Sequence, residues 1–192
     1  MAPDVQTRVN LEASTRPTGH LPKLSAGIIV SGMFRRIDDF EKVWTVESKL
    51  TLKVLHALTD EKLSQSVTPG SYTLGSLAWH VATSIAMIPA HAGLLPIPDK
   101  KPMPETVDEI IAAYEHNVKL VRDAVQDELT DAKLEKEVTM FGRTFRYGTV
   151  LSIVISHQCH HRGQMTVLLR QAGLKVPGVY GPSEDEAKAA AK

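Results

Sequence analysis

Hydrophobic residues recur at helical spacing in the first half of the chain. A first segment spans roughly residues 38–58, and its apolar stripe consists of Phe40, Val43, Leu50, Val54 and Leu58. A second begins near Thr73, with the stripe Leu74, Leu77, Val81, Ile85 and Ile88. Each stripe falls on one side when successive residues turn by about 100°, which predicts an amphipathic helix. We expect Pro89 to kink or end the second helix, because proline lacks an amide donor and clashes with the preceding turn.

Two more helices are predicted in the second half. The third opens with "TVDE", residues 106–109, a capping box in which Thr106 caps and Glu109 reaches back. The fourth extends from about Thr149 to Ala172 and ends at Gly173, a good stop signal. Between them, "VTMFGRTFRY" (residues 138–147) has β-branched and aromatic residues on both sides of a glycine, which predicts a short hairpin or extended crossover. The pattern predicts an all-α fold, a four-helix bundle.

The ends of the chain lack this period. Residues 1–33 mix proline, glycine, small polar and charged residues and read as a loose N-terminal arm. Residues 183–192, "SEDEAKAAAK", are expected to form a solvated C-terminal tail. The bundle would then occupy residues 34–182, and a length of 192 residues suits one such domain.

The overall composition limits the partners and the cellular compartment to be expected. Lys+Arg and Asp+Glu balance at 22 each, so net charge gives no reason to expect a nucleic-acid or anionic-membrane partner. No segment approaches the roughly 20 apolar residues of a membrane-spanning helix. Cys159 is the only cysteine, which excludes an intramolecular disulfide framework and suits a reducing interior. We therefore expect a cytoplasmic protein.

A histidine cluster is the most distinctive local feature. The stretch "ISHQCHHRGQ", residues 155–164, carries His157, His160 and His161 within the fourth helix. Residues four apart stack on one face, so His157 and His161 lie together, whereas His160 points about 60° to the other side of His157. Buried imidazoles need partners, and a divalent metal would satisfy both. The alternative is that the pair hydrogen-bonds to neighbours or faces a solvent-filled groove.

A metal site needs a third ligand from another helix. His80, in "LAWHVA", lies on or beside the core face of the second helix, whereas His20, His56 and His116 fall in the arm or off the apolar stripes. His80 is therefore the best partner for His157 and His161. Three imidazoles with open positions for water suit zinc or nickel, with iron or manganese as alternatives.

Two other residues bear on the chemistry. Glu47 lies near the centre of the first helix's apolar stripe, where a carboxylate needs a partner such as a metal or a ligand histidine. The alternative is that the stripe is misphased by one residue or that Glu47 reaches the bundle end. Cys159 points about 160° away from His157 and is interpreted as a small hydrophobe against a partner surface.

These residues resemble a known family. His80 in "LAWHVA", followed by "HQCHHRGQMTVLLRQAG" and "VPGVYGP", resembles the DinB/YfiT-like superfamily over roughly residues 34–182. The resemblance implies a four-helix bundle, often a homodimer, with a divalent metal held by His80, His157 and His161. It also implies one of the activities of the family's members, which are thiol S-transferases or isomerases that use low-molecular-weight thiols, or metal-dependent hydrolases. The position after the first helix-four histidine is often Glu in this family and is Gln158 here, so an HExxH-like mechanism is not supported.

Two main functional hypotheses follow. In the first, the metal activates a thiol or water against a small-molecule substrate, and Glu47 accepts the proton or orients a ligand. In the second, the metal stabilises a non-catalytic binding or stress-response protein, since no Ser/His/Asp set, reactive cysteine or phosphate loop accompanies the histidines. A DNA-interacting module is the weakest hypothesis, because the chain has no basic patch.

Overall fold

Four long helices pack around one apolar core in residues 34–191, the part of the chain that this computed structural model describes. In chain order the elements are α1 (Ile37–Leu55), α2 (Leu74–His91), α3 (Val107–Glu128), the short α4 (Asp131–Leu134), β1 (Glu137–Met140), β2 (Arg143–Arg146), α5 (Tyr147–Gln171) and the short α6 (Glu184–Ala190). The predicted all-α four-helix bundle is confirmed, with α1, α2, α3 and α5 as its long helices.

Helix α5 lies between two partners. It packs against α2 on one side and against α1 on another, while α3 contacts both α1 and α2. Large side chains from all four long helices are fully buried where they meet: Trp44, Ile85, Tyr114, Leu151 and Met165. One face of α5 therefore meets α2 and a different face meets α1, so α5 can contribute to two separate polar clusters.

The buried face of α1 differs from the predicted stripe. Val43 and Leu50 are only half-buried, whereas Trp44, Ser48 and Thr51 are buried, so the helix is turned toward these three residues. Helix α1 also ends at Leu55 instead of Leu58, after which the chain forms a 3-10 turn at Asp60–Lys62. The prediction erred because an indole and small hydroxyl side chains pack against α3 and α5 better than the hydrophobicity pattern alone indicates.

Helix α2 tolerates Pro89 close to its end. The N-cap Thr73 and Ser76 form a reciprocal capping box, and the helix continues two residues past the proline to His91. Gly93 then takes a positive φ of 73°, and the amide of Leu94 bonds back to the carbonyl of Pro89. A proline in the last turn removes few helical hydrogen bonds, which explains why the helix stops shortly after it and not at it.

The predicted hairpin is present. Strands β1 and β2 are antiparallel, with Glu137 opposite Arg146 and Met140 opposite Arg143. The two connecting residues, Phe141 and Gly142, have φ values of 52° and 71°, as a type I′ turn requires. The hairpin delivers the chain directly into α5, whose second residue, Gly148, lies so close to Phe34 that a Cβ would come within 2.4 Å of the Phe34 carbonyl oxygen.

The C-terminal segment contains a short helix. Ser183 and Glu186 form a capping box at the start of α6, a helix that the prediction for residues 183–192 did not include. Most of its side chains are exposed, but Asp185 accepts a hydrogen bond from the amide of Val176 and Glu186 one from Lys53 of α1. The predicted arm, residues 1–33, lies outside the described residues. Between residues 34 and 191 no helix is both long and apolar enough to cross a membrane.

Candidate metal centre

The structure brings together the three histidines that were predicted as ligands. The Nε2 atom of His157 lies 3.3 Å from Nε2 of His80 and 3.3 Å from Nε2 of His161. The three ring centroids are 4.5–4.9 Å apart, and one ligand atom from each ring can be chosen so that all three lie within 4.8 Å of one another. Within residues 34–191, no other group of histidine, cysteine or acidic side chains converges in this way.

The cluster lies at the surface between α2 and α5. His157 and His161 are half-buried and His80 is the most exposed of the three, whereas the sequence predicted imidazoles inside the core. The reason is that the core between these helices is filled by aliphatic residues such as Val81, Ile85 and Val154, which leaves the imidazoles at its edge. A site at the edge retains an open side toward solvent.

The second nitrogen of two of the rings has a hydrogen-bond partner. Nδ1 of His161 lies 2.7 Å from Oε1 of Gln164, and Nδ1 of His157 lies 3.3 Å from Oγ of Ser84. If each Nδ1 carries the proton and donates it, each Nε2 presents a lone pair to the centre of the cluster. Partners of this kind orient the ligand histidines of metal sites.

The surroundings disfavour protonation of the central imidazole. Burial, and then the proximity of His161, His80 and His160, lower the pKa of His157 to about 4. Burial followed by the proximity of His161 also lowers the pKa of His80. His157 is therefore neutral at physiological pH, which is the form that binds a metal.

The donor set and its spacing fit a divalent transition metal. Two imidazole nitrogens bound tetrahedrally at 2.0–2.1 Å from zinc lie about 3.3 Å apart, which matches the separations of His157 Nε2 from the other two Nε2 atoms. At this distance either one Nε2–H donates to the other nitrogen or both nitrogens present lone pairs, and in the second case a cation between them removes their repulsion. Imidazoles alone do not select one ion, since zinc, nickel and iron all accept them.

The remaining histidines lie outside the cluster. His160 is exposed, with its ring 4.8 Å from that of His161, and His91 packs against the ring of Phe141. His56 and His116 are exposed, and His20 lies outside the described residues.

Glu47 belongs to a second polar cluster, between α1 and α5. Glu47 is only 8% exposed and Arg162 only 1%. Oε2 of Glu47 accepts a 2.7 Å hydrogen bond from the Arg162 guanidinium. The hydroxyl of Tyr180 and the thiol of Cys159 also donate to the carboxylate. Burial raises the pKa of Glu47, but the bonds from Arg162, Cys159 and Tyr180 outweigh it and hold the pKa below its usual range. The partner expected for Glu47 was a metal or a ligand histidine, and the partner found is Arg162.

Cys159 faces this cluster within its own chain. Its thiol lies 3.2 Å from Oε2 of Glu47 and 3.1 Å from the hydroxyl of Tyr180, so it does not have the purely apolar surroundings that its interpretation as a small hydrophobe implied. Burial raises the pKa of the thiol, which makes it a poor nucleophile.

Gln158 lies on a buried face of α5. It is fully buried, and its Oε1 accepts hydrogen bonds from Thr51 at 3.1 Å and from Tyr114 at 2.8 Å. Burial raises the pKa of Tyr114 to about 12, so the phenol keeps the proton that it donates. Gln158 therefore ties α5 to α1 and α3, in agreement with the sequence argument against a catalytic base at this position.

The comparisons with known proteins agree with this fold. The family model described as "DinB family" matches residues 33–191. The chain belongs to the DinB family. A DinB-like protein from Bacillus cereus ATCC 10987 is 44% identical, with a TM-score of 0.73, and its structure aligns over 77% of this chain and 100% of its own. The uncharacterized protein YrdA of Bacillus subtilis is 40% identical over 80% of this chain and 93% of its own length.

A more distant solved structure shares the fold. YfiT from Bacillus subtilis, described as a probable metal-dependent hydrolase with an unusual four-helix bundle topology, is 17% identical, with a TM-score of 0.53. It covers 71% of this chain and 89% of its own. At that identity the likeness supports the bundle alone.

Sequence reasoning missed the partners around both clusters of this DinB protein. Gln164 follows His161 by three residues and Ser84 follows His80 by four, so helical spacing placed both near the site, but the atoms they contact depend on rotamers. The sequence allows Arg162 to pair with an acidic group, to contact a dimer partner or to lie in solvent, and its bond to Glu47 joins positions 115 residues apart. Tyr180 had no local signal, because its contact with Glu47 joins positions 133 residues apart.

Proposed function

We propose that this DinB protein is a divalent-metal-dependent enzyme that activates a thiol or a water molecule at the three-histidine site. The observation that carries the proposal is the convergence of three imidazoles, with two Nε2–Nε2 separations of 3.3 Å, at a partly open surface. Zinc or nickel is the metal we expect first, and iron or manganese are the alternatives.

The chain's own residues would hold the ion and leave room for a reactant. His80, His157 and His161 supply three neutral nitrogen ligands, and the exposure of His80 leaves the outward side of the site accessible. When bound there, a divalent cation supplies Lewis acidity, which lowers the pKa of a bound water or thiol toward neutrality. A low-molecular-weight thiol as co-substrate would make the protein an S-transferase, and water would make it a hydrolase.

YfiT, which shares this bundle, is described as a probable metal-dependent hydrolase, and the proposal extends a metal-dependent role to this chain. A homodimer located in the cytoplasm is also part of the proposal. Its support is the resemblance of the histidine motifs to those of DinB proteins and the presence of a single cysteine in the chain.

A second candidate function is a non-catalytic protein that the metal stabilises. The observation in its favour is that Glu47, the proposed proton acceptor, has its carboxylate occupied by Arg162 and Tyr180. A carboxylate whose pKa is lowered and whose oxygens already accept hydrogen bonds is a weak general base. The role of Glu47 in catalysis therefore stays a prediction, to be tested by the variant Glu47→Gln.

Elemental analysis of protein purified without a histidine tag tests the metal site. We expect about one equivalent of metal in the wild type and its loss in His80→Ala, His157→Ala and His161→Ala. His160→Ala is the matched control, because this exposed histidine neighbours the cluster on the same helix, and it should retain the metal. A metal-free wild type that also fails to take up added zinc or nickel would contradict the proposal.

Turnover then separates the two candidate functions. The metal-loaded protein is assayed with panels of thiols plus electrophiles and of esters or amides, with the His157→Ala variant as the background. Metal-dependent turnover above that background supports the enzyme. Full metal occupancy with a large rise in thermal stability but no turnover supports the non-catalytic alternative.

A further inference from the structure

Gln164 lies beside the histidine cluster without belonging to the ligand set. It is three residues after His161 on α5, and its Oε1 is 2.7 Å from Nδ1 of His161. This is shorter than the other contact to an Nδ1 atom in the cluster, the 3.3 Å separation of Ser84 and His157. The side chain of Gln164 is otherwise exposed, which indicates that packing does not explain its position.

The orientation of the Gln164 amide decides which ring nitrogen of His161 carries the proton. A neutral imidazole has one N–H donor and one acceptor, and a contact at 2.7 Å needs one group of each kind. With Oε1 as acceptor, Nδ1 is the donor, and the lone pair is left on Nε2, the atom that lies 3.3 Å from Nε2 of His157. Rotating the amide by half a turn would present its NH₂ group instead, and the proton would move to Nε2 and point into the site.

His157 shows the same arrangement with a weaker partner. The Ser84 hydroxyl lies 3.4 Å from the carbonyl of Val81, to which it can donate its only proton. Its oxygen is then an acceptor for the Nδ1–H of His157. When the hydroxyl donates to Val81, both histidines have an acceptor at Nδ1, and each Nε2 then presents a lone pair that can bind a cation.

We propose that Gln164 is a positioning residue that fixes His161 in the Nδ1-protonated tautomer and so prepares Nε2 as a metal ligand. The inference rests on the proposed function for its purpose, but the tautomer itself is a property of the metal-free protein. A glutamate at this position could only accept, so it would enforce the same tautomer and make His161 more basic. A leucine of similar size could do neither.

The experiment uses the variants Gln164→Leu and Gln164→Glu, with Gln171→Leu as the matched control. Gln171 is exposed near the end of the same helix, so its replacement has the same chemistry away from the site. Nitrogen-15 spectra of the metal-free proteins at about pH 8 report which ring nitrogen of each histidine is protonated. Competition with a chromophoric chelator then measures the affinity for zinc alone.

We expect Nδ1-protonated His161 in the wild type and in Gln164→Glu, and a mixture of tautomers in Gln164→Leu with His157 unchanged. Loss of such an outer partner lowers metal affinity by about 10- to 100-fold, and because Gln164 is exposed we expect the lower end, about 10-fold. Gln164→Glu should bind zinc at least as tightly as the wild type, and Gln171→Leu should match it.

The possible failures can be told apart. If the wild type does not bind zinc, the proposed function fails, while the spectra still report whether Gln164 sets the tautomer. If the wild type binds zinc but Gln164→Leu keeps the His161 tautomer, or keeps an affinity within about twofold, the inference about Gln164 is wrong. The inference would also be wrong if Gln164→Leu lost zinc affinity and Gln164→Glu showed the same loss. In that case the hydrogen-bond acceptor at position 164 would not be the cause.

Discussion

Removing the carboxylate of Glu47 should strongly destabilise the bundle. In Glu47→Ala, the 1% exposed guanidinium of Arg162 loses its 2.7 Å charged partner but keeps the Glu47 carbonyl at 3.1 Å and the Thr51 hydroxyl at 3.0 Å. Breaking a buried ion pair from one side costs about 3–5 kcal/mol, because it leaves a buried charge uncompensated. Because these two neutral acceptors remain, we expect the loss of unfolding free energy to lie near the lower end, at about 3 kcal/mol. That is a large share of the roughly 5–15 kcal/mol by which a typical domain is stable against unfolding.

A double-mutant cycle with Arg162→Met isolates the pair. The free energy of unfolding is measured by urea titration, with circular dichroism as the probe, in the presence of a chelator so that metal binding does not contribute. The double variant should be destabilised by at least about 1.5 kcal/mol less than the sum of the single variants, because it leaves no charge unpaired. A loss below about 1 kcal/mol in Glu47→Ala, or simple additivity, would refute the structural role assigned to the pair.

The pair also gives the stability a pH dependence with a defined sign. The folded state lowers the pKa of Glu47, although burial alone would raise it, because the bonds from Arg162, Cys159 and Tyr180 favour the ionised form. The stabilisation is therefore present above the unfolded-state pKa of about 4.3 and is lost as the pH falls through the lower, folded-state pKa. The Glu47→Gln variant should lose less stability than the wild type over this acidic range, and an identical acid profile would contradict the assignment.

Three further predictions concern other parts of the molecule. Gly148→Ala should cost about 2 kcal/mol in urea titration, because the added Cβ would meet a backbone oxygen of Phe34 at 2.4 Å; an unchanged midpoint would contradict the close packing at the start of α5. Phe141→Asn should raise the stability by about 0.5–1 kcal/mol, since asparagine tolerates the positive φ of 52° better than phenylalanine, and a lower melting temperature would show that the ring contact with His91 outweighs the strain. Adding zinc should raise the melting temperature of the wild type but not of His157→Ala, as scanning calorimetry can check.

Much of the fold and two of the three candidate ligands follow from local periodicity. The spacing of four residues places His157 and His161 on one face of a helix wherever that helix packs, and turn chemistry predicts the hairpin around Gly142. His80 could be selected because its helix has an apolar stripe that sets the direction of each side chain. The helix α6 was also readable in principle, since Ser183 and Glu186 have capping-box spacing.

Tertiary packing determined the rotation of α1 and the partner of Glu47, which helical periodicity could not. The hydrophobic pattern fixed the rotation of α1 only to within a residue, and the docking of Trp44 and Thr51 against neighbouring helices determined it. The identity of Glu47's partner depends on Arg162 and Tyr180, which lie 115 and 133 positions away along the chain. Helical periodicity is a short-range property of the backbone, so the sequence by itself determined the two histidines on one helix face. The assembly of the full cluster and the pairing of the buried charges required the folded chain, because they join side chains that only packing brings within hydrogen-bond distance.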